Sequence, residues 1–325
     1  MAPTSKMYSL AGKRVWVAGH GGMVGSALVR RLRGIDCHVV TVDRADLDLR
    51  RQAEVEQWMA ETKPQAVFLA AATVGGIQAN ASRPAEFIVD NLAITANVLG
   101  AAAQVGVEKL LFPGSSCVYP RLCAQPMVET DLMTGPFEPT NEPYAVAKMA
   151  GISLCRSYRR QYGCDFISVI PTNLFGPGDN LDPAANHVVP GMIAKVVTAC
   201  ESGGPVAIWG TGTPRREFLF VDDAADAMVF LMEHYASEEV INIGAGEDVS
   251  ILQLAEEIGD LAGYGGEFRC DPTKPDGMPR KQLDATRLLA MGWRPATSLR
   301  QGLAATLGWY CDATGRPQAG QRHAE

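Results

Sequence analysis

The chain contains no run of roughly eighteen uninterrupted apolar residues, so no membrane-spanning helix is expected. Its eight cysteines are scattered, without a C-x-x-C pair or Cys/His groups at zinc-site spacing, which argues against a structural metal or a disulfide framework. The opening residues MAPTSKMYSLAGK lack the apolar stretch of a secretory signal, and a reducing cytoplasm is the expected setting. Positive charge is also scarce. Twenty-nine Lys and Arg against 36 Asp and Glu leave a net charge of −7, which excludes a general attraction to nucleic acid or anionic lipid. A phosphorylated small molecule is not excluded, because a few local arginines and backbone amides suffice to hold one. No internal repeat and no low-complexity linker interrupts the chain.

What is present is a large apolar fraction, 47% of 325 residues, enough for one large or two fused cores. Short apolar runs read as strands: Lys13–Gly19, Cys37–Val42, Ala66–Ala70, Lys109–Pro113 and Phe166–Ile170. Helical stretches at about 23–33, Glu86–Val105 and Asn141–Tyr162 alternate with them, the pattern of right-handed βαβ units. The fold class expected is therefore α/β, a doubly wound parallel sheet. After Pro171 the texture becomes rich in Pro, Asn, Asp and Gly, as in a loop-rich substrate region. Val206–Trp209 and Val240–Ile243 look like isolated strands there, and Ile251–Leu261 and Leu299–Tyr310 like helices. The division expected is an N-terminal extension over 1–12 and a dinucleotide-binding unit over 13–172, to which later segments return. A smaller α+β lobe over 173–311 and a disordered tail over 312–325 complete it.

The turn Gly19-His20-Gly21-Gly22-Met23-Val24-Gly25 follows the first strand and opens the first helix. Glycines at that spacing let backbone approach a pyrophosphate at a helix N-terminus; without strand and helix around them they would signal only a tight turn. Asp43, at the end of the second strand, suits the ribose hydroxyls of NAD, whereas its neighbour Arg44 suits the 2′-phosphate of NADP. This pair leaves the coenzyme open.

Tyr144-Ala-Val-Ala-Lys148 places a phenol and an ammonium on one helix face, where the lysine is expected to lower the phenol pKa and make the tyrosine a usable acid or base. Tyrosine and lysine at this spacing are common by chance. Here, however, the pair follows Pro113-Gly114-Ser115-Ser116-Cys117 at the end of a strand, where ligands of open sheets bind. Ser115 is positioned to donate to a substrate carbonyl.

These motifs, together with LAAATVGGIQAN, EPTNEPYAVAK, PTNLFGPGDN, WGTGTPRREFLFVDD and KPDGMPRK, resemble the extended short-chain dehydrogenase/reductase family of nucleotide-sugar enzymes from Val15 to about Tyr310. The resemblance implies a Rossmann-type nucleotide unit and a chemistry on a GDP-linked 4-keto-6-deoxy sugar: epimerisation at C3 and C5, then reduction at C4. It implies that Tyr144 protonates the C4 oxygen, Lys148 tunes it, Ser115 hydrogen-bonds it, and Cys117 and His187 act as base and acid, with the thiolate the preferred base. It places Ala71, Asn91, Ser116, Pro171, Thr172, Asn173, Leu174 and His187 beside the coenzyme as well. Lys195, Trp209, Arg216, Asp276 and Lys281, with Asn173, would contact the substrate, although composition alone would put Trp209 in the core. NADP(H) is implied, yet Gly21 stands where the family carries an arginine, and with Asp43 this keeps NAD(H) open. A homodimer and no metal are implied. A redox-neutral 4-epimerase or dehydratase, and more remotely a cofactor-sensing protein, are the competing readings.

Overall fold

Side chains of RVWVA, AVFL, KLLFP and FISVIP are apolar in both alternating sets, and only a sheet covered on both faces can bury such strands. A computed structural model describes residues 7–182, 187–274 and 276–316. In chain order the first half comprises β1 (Arg14–Ala18), α1 (Met23–Leu32), β2 (His38–Val40), α2 (Gln52–Thr62), β3 (Ala66–Leu69) and α3 (Ile77–Ser82). It continues with α4 (Pro84–Val105), β4 (Lys109–Pro113), α5 (Glu142–Tyr162) and β5 (Phe166–Pro171). The second half runs through β6 (Asn173–Phe175), α6 (Val188–Ser202), β7 (Val206–Trp209), β8 (Arg215–Phe220), α7 (Val221–His234) and β9 (Ile241–Ile243). It closes with β10 (Asp248–Ser250), α8 (Ile251–Leu261), β11 (Phe268–Asp271), β12 (Arg280–Lys281), α9 (Thr286–Ala290) and α10 (Leu299–Thr314).

Six parallel strands in the order β2-β1-β3-β4-β5-β9 form the main sheet. The side chains of β1 alternate across it. Val15 and Val17 pack with Leu28 and Met228 under α1 and α7, whereas Trp16 packs with Val98 and Ile152 under α4 and α5. This is the Rossmann-type doubly wound arrangement. A third core, around Ile193, Ile208, Leu254 and Leu303, joins α6, α8 and α10 to a second, mixed sheet in which β8 pairs with β6, β10 and β12. Serine–glutamine capping boxes start α8 and α10, and left-handed Gly106 and Gly163 end α4 and α5.

Four expectations change. Val206–Trp209 is not isolated: β7 pairs in parallel with β11, Val206 opposite Phe268. Val240–Ile243 does not stand alone: β9 is the sixth strand of the main sheet, with Ile241 opposite Val169 of β5. Three apolar residues carry too little pattern to reveal which sheet they join; α7, packed against α1, decides it by returning the chain to the first unit. Leu10, expected in an extension, is fully buried in the first core, and the amides of Met7 and Tyr8 donate to the Glu233 carbonyl. α10 runs on to Thr314, and residues 317–325 of the expected tail lie outside the described residues.

By length and composition α4 is apolar enough to cross a membrane. One face of it packs on α2 and α5, through Phe87, Ile94, Val98 and Leu99.

Candidate active site

The nucleotide turn is shaped by backbone proximity. Gly19 adopts φ 86°, and a Cβ there would lie 2.6 Å from the backbone of Ala71, just beyond β3. The turn thus sits where strand order reverses between β1 and β3, the crevice in which doubly wound sheets bind ligands. A Cβ on Gly25 would lie 2.0 Å from the Gly19 carbonyl oxygen, and that backbone oxygen cannot yield as a side chain would. Gly22 enters α1 extended, without a side-chain cap, so the first amides of α1 are left to a ligand. Gly25→Ala is therefore expected to force the turn open, lowering stability by about 1–3 kcal/mol and dinucleotide affinity with it; thermal melting and calorimetric titration with the dinucleotide read both.

Around this turn, Gly21 meets nothing within 4 Å of a built Cβ, so the missing arginine is a matter of sequence and not of space. His20 Nε2 lies 3.4 Å from Asp43 Oδ1, and Arg44 is exposed beside them. Asn91 spends its side chain on structure. Its Oδ1 accepts from the Thr73 amide at 2.9 Å, and its Nδ2 donates to the carbonyls of Thr73 and Phe87, pinning the segment after β3 that carries Ala71. Val24 and Leu174 pack on the first core.

The expected catalytic residues are brought together by β4, a single 3-10 turn and α5. Ser115 caps that turn, Ser116–Val118, its Oγ accepting from the Cys117 amide at 3.4 Å, which leaves the hydroxyl proton free to donate elsewhere. α5 packs against the turn, bringing Tyr144 and Lys148 to it. Lys148 Nζ donates to the Pro113 carbonyl at 2.8 Å and lies 5.8 Å from the Tyr144 ring centroid.

Burial brings the Lys148 ammonium down to about 8. It pushes the Tyr144 phenol well above its ordinary value, with the nearby Cys117 adding to the rise. The expected lowering of the phenol pKa by the lysine is thus reversed here: the ammonium is committed to the Pro113 carbonyl, and desolvation of a buried phenolate dominates. The result is a phenol that stays protonated. Burial raises the Cys117 thiol too, opposed by the Lys281 ammonium, the Ser115 hydroxyl and Lys148. Cys117, Ser115, Tyr144, Lys148 and Lys281 therefore share one electrostatic neighbourhood.

Lys281 and Arg216 stand opposite one another in the parallel register of β12 and β8. Burial lowers both pKa values, and Lys281 is lowered further by Arg216. Two desolvated cations side by side are stabilised by an anion between them. Trp209, 62% exposed, belongs to the surface and not to the core. Lys195 and Lys274 lie 5.7 and 6.0 Å from its ring centroid, and Lys195 also donates to the Ala207 carbonyl at 2.9 Å. Asp276 is exposed and engaged by Thr211, whose amide reaches Oδ1 at 2.6 Å. Asn173 Nδ2 donates to the Glu217 carbonyl at 2.7 Å, and Thr172 Oγ1 reaches the same oxygen at 3.4 Å. His187 is the N-cap residue of α6, with Nδ1 at 3.0 Å from Asp179 Oδ1, and this hydrogen bond raises its pKa.

Two residues went unnoticed in the sequence. Asp179 lies in the turn-forming GPGDN stretch, where a carboxylate reads as a loop residue. Glu217 is fully buried inside the REF stretch; its carboxylate accepts from the amides of Gly246 and Leu283, both at 2.9 Å, and so fastens β12 and Lys281 beside Arg216. Its signal was faint, an acidic residue between two arginines and the apolar run Phe218–Phe220.

A parallel sheet with a glycine turn at its switch point, and Ser115, Tyr144 and Lys148 beyond β4, define an extended short-chain dehydrogenase/reductase. The chain belongs to the NAD dependent epimerase/dehydratase family, whose pattern it matches over residues 15–244. It is 55% identical over 299 residues to a GDP-L-fucose synthase of Sinorhizobium fredii, covering 92% of this chain and 95% of that one. To the GDP-L-fucose synthase of Escherichia coli it is 48% identical over 314 residues, covering 92% and 97%. Among solved structures, a GDP-L-fucose synthetase from Naegleria fowleri bound to NADP superimposes with a TM-score of 0.88 at 30% identity, covering 97% of this chain and 98% of that one.

Proposed function

We propose that this protein converts GDP-4-dehydro-6-deoxy-D-mannose to GDP-L-fucose, by epimerisation at C3 and C5 followed by NADP(H)-dependent reduction of the C4 ketone. The observation that carries this reading is the grouping of a protonated phenol, Tyr144, with a buried thiol, Cys117, at one site. A ketone reductase needs the first; the second, set beside Ser115, suits an enzyme that also moves protons at neighbouring carbons. A redox-neutral 4-epimerase would have no use for it.

The residues present fit a dinucleotide. The close-packed turn from Gly19 to Gly25 and the uncapped first amides of α1 take its pyrophosphate. Arg44 takes the 2′-phosphate while His20 engages Asp43. Lys148 and the Pro171–Leu174 stretch hold the nicotinamide end. When bound, NADPH supplies the hydride that reduces C4. Tyr144 donates its proton to the C4 oxygen, and Ser115 donates a hydrogen bond to the same oxygen.

Those donors also serve the earlier steps. Loss of a proton from C3 or C5 leaves an enolate whose charge resides on the C4 oxygen, where Tyr144 and Ser115 would donate. Cys117 takes the proton as thiolate, favoured by Lys281 and Lys148. His187, its pKa raised by the hydrogen bond to Asp179, returns one. Arg216 and Lys281 grip the diphosphate, Trp209 offers its face to the guanine, and Lys195, Asn173 and Asp276 shape the surrounding pocket. The enzyme acts in the cytoplasm as a homodimer through α4 and α5. Only 33% of the apolar α4 window is buried within one chain, and a second copy would cover the rest.

Incubation of the purified protein with GDP-4-dehydro-6-deoxy-D-mannose and NADPH is the test. The expected result is one NADPH oxidised for each GDP-L-fucose formed; a product formed without coenzyme consumption would overturn the reading. kcat/KM should favour NADPH, and a preference for NADH of about tenfold or more would overturn the coenzyme assignment.

A further inference from the structure

We propose that Asp179 is a positioning residue for His187, holding the ring by Nδ1 so that Nε2 is presented to the sugar as a proton donor. The inference rests on the proposed role of His187 in epimerisation and extends it to a residue outside the motifs.

Asp179 lies on the loop between β6 and α6 and is 6% exposed. A carboxylate is expensive to bury unless it is used. One oxygen is fully engaged: Oδ1 lies 3.0 Å from His187 Nδ1 and accepts from the Asn180 amide at 2.8 Å. The other, Oδ2, is buried with no hydrogen-bond partner among the described residues. The imidazole is the one side-chain group that the buried carboxylate meets among the described residues.

The first part of the loop is anchored at Gly178. Gly178 adopts φ 89°, and a Cβ there would lie 3.4 Å from Met23 Cα, the first residue of α1. Asp179 is thereby fixed relative to the nucleotide turn, and His187, at the start of α6, is fixed through Asp179. With Nδ1 engaged, the neutral ring carries its proton on Nδ1 and leaves Nε2 free; the ring remains 38% exposed, able to meet a ligand. A carboxylate behind the ring also stabilises its cationic form, which assigns His187 the acid role and leaves the base role to Cys117.

The test uses the full-length protein and two readouts. In ¹⁵N-resolved NMR titration, His187 of the wild-type protein should show the Nδ1–H tautomer when neutral and a pKa above the ordinary histidine value; the Nε2–H tautomer would overturn the proposal, and this measurement needs no variant to fold. Asp179→Asn should lower that pKa. It should also slow deuterium incorporation at C3 and C5 from D2O by roughly tenfold or more, while reduction of the C4 ketone changes by no more than about twofold. Asp179→Glu, which keeps the charge, should recover part of the exchange rate. Unchanged His187 titration and exchange in Asp179→Asn would also overturn the proposal. Failure of the parent reading looks different: exchange in His187→Ala would equal that of the wild type, whatever the NMR shows for Asp179.

Discussion

Tyr144→Phe should lower kcat for reduction of the C4 ketone by about a hundred- to ten-thousandfold, with KM changed little. The substitution deletes one oxygen and keeps the ring, so the edge contact with Phe87, at a centroid distance of 6.4 Å, persists. What is lost is the proton that must reach the C4 oxygen as it gains charge. Because burial holds the phenol above its ordinary value, Tyr144 is the acid form throughout the neutral range, and its protonation should impose no limb on the reduction profile there. Lys148 sets the alkaline side. Its ammonium, down to about 8, is charged below that value and loses its charge as pH rises through it, so coenzyme binding should weaken above pH about 8. A reduction rate in Tyr144→Phe within a fewfold of wild type would show that another group donates the proton. Stopped-flow measurement of the hydride-transfer step, with KM and kcat separated, decides.

The second large effect is selective for the other half of the chemistry. Cys117→Ser should reduce deuterium incorporation at C3 and C5 by about a hundred- to ten-thousandfold while leaving ketone reduction measurable. Serine preserves the volume and the 3-10 turn, but its hydroxyl cannot become a base near neutral pH. In the wild type the thiol is raised by burial and pulled back by Lys281, Ser115 and Lys148, so the thiolate fraction, and with it exchange, should increase as pH rises from neutrality. Mass spectrometry of the nucleotide sugar after incubation in D2O follows the label directly. Undiminished exchange in Cys117→Ser would show that a group other than Cys117 takes the C3 and C5 protons, and no exchange in the wild type would leave a simple 4-ketoreductase.

Much of the fold was legible because its signals are local. The strands β1, β3, β4 and β5 are short runs apolar on both faces, and α4 and α5 end at glycines that accept left-handed backbone. The glycine turn, Ser115, Tyr144 and Lys148 were legible for the same reason, since each lies at a strand end or on one helix face. Elements of the second half were harder. β8 begins with two arginines and β12 is two residues long, so neither shows the alternation by which a strand is read.

The amino-acid sequence by itself determined the α/β class, the nucleotide turn and the identity of the groups that can donate, accept or hold charge. Tertiary structure alone decided how those groups behave. It gave β9 to the first sheet, placed Trp209 on the surface, set Lys281 against Arg216, and buried Asp179 behind His187. It also reversed the expected shift of Tyr144, for a pKa depends on desolvation and on neighbours remote in the chain, and no spacing along the sequence encodes either.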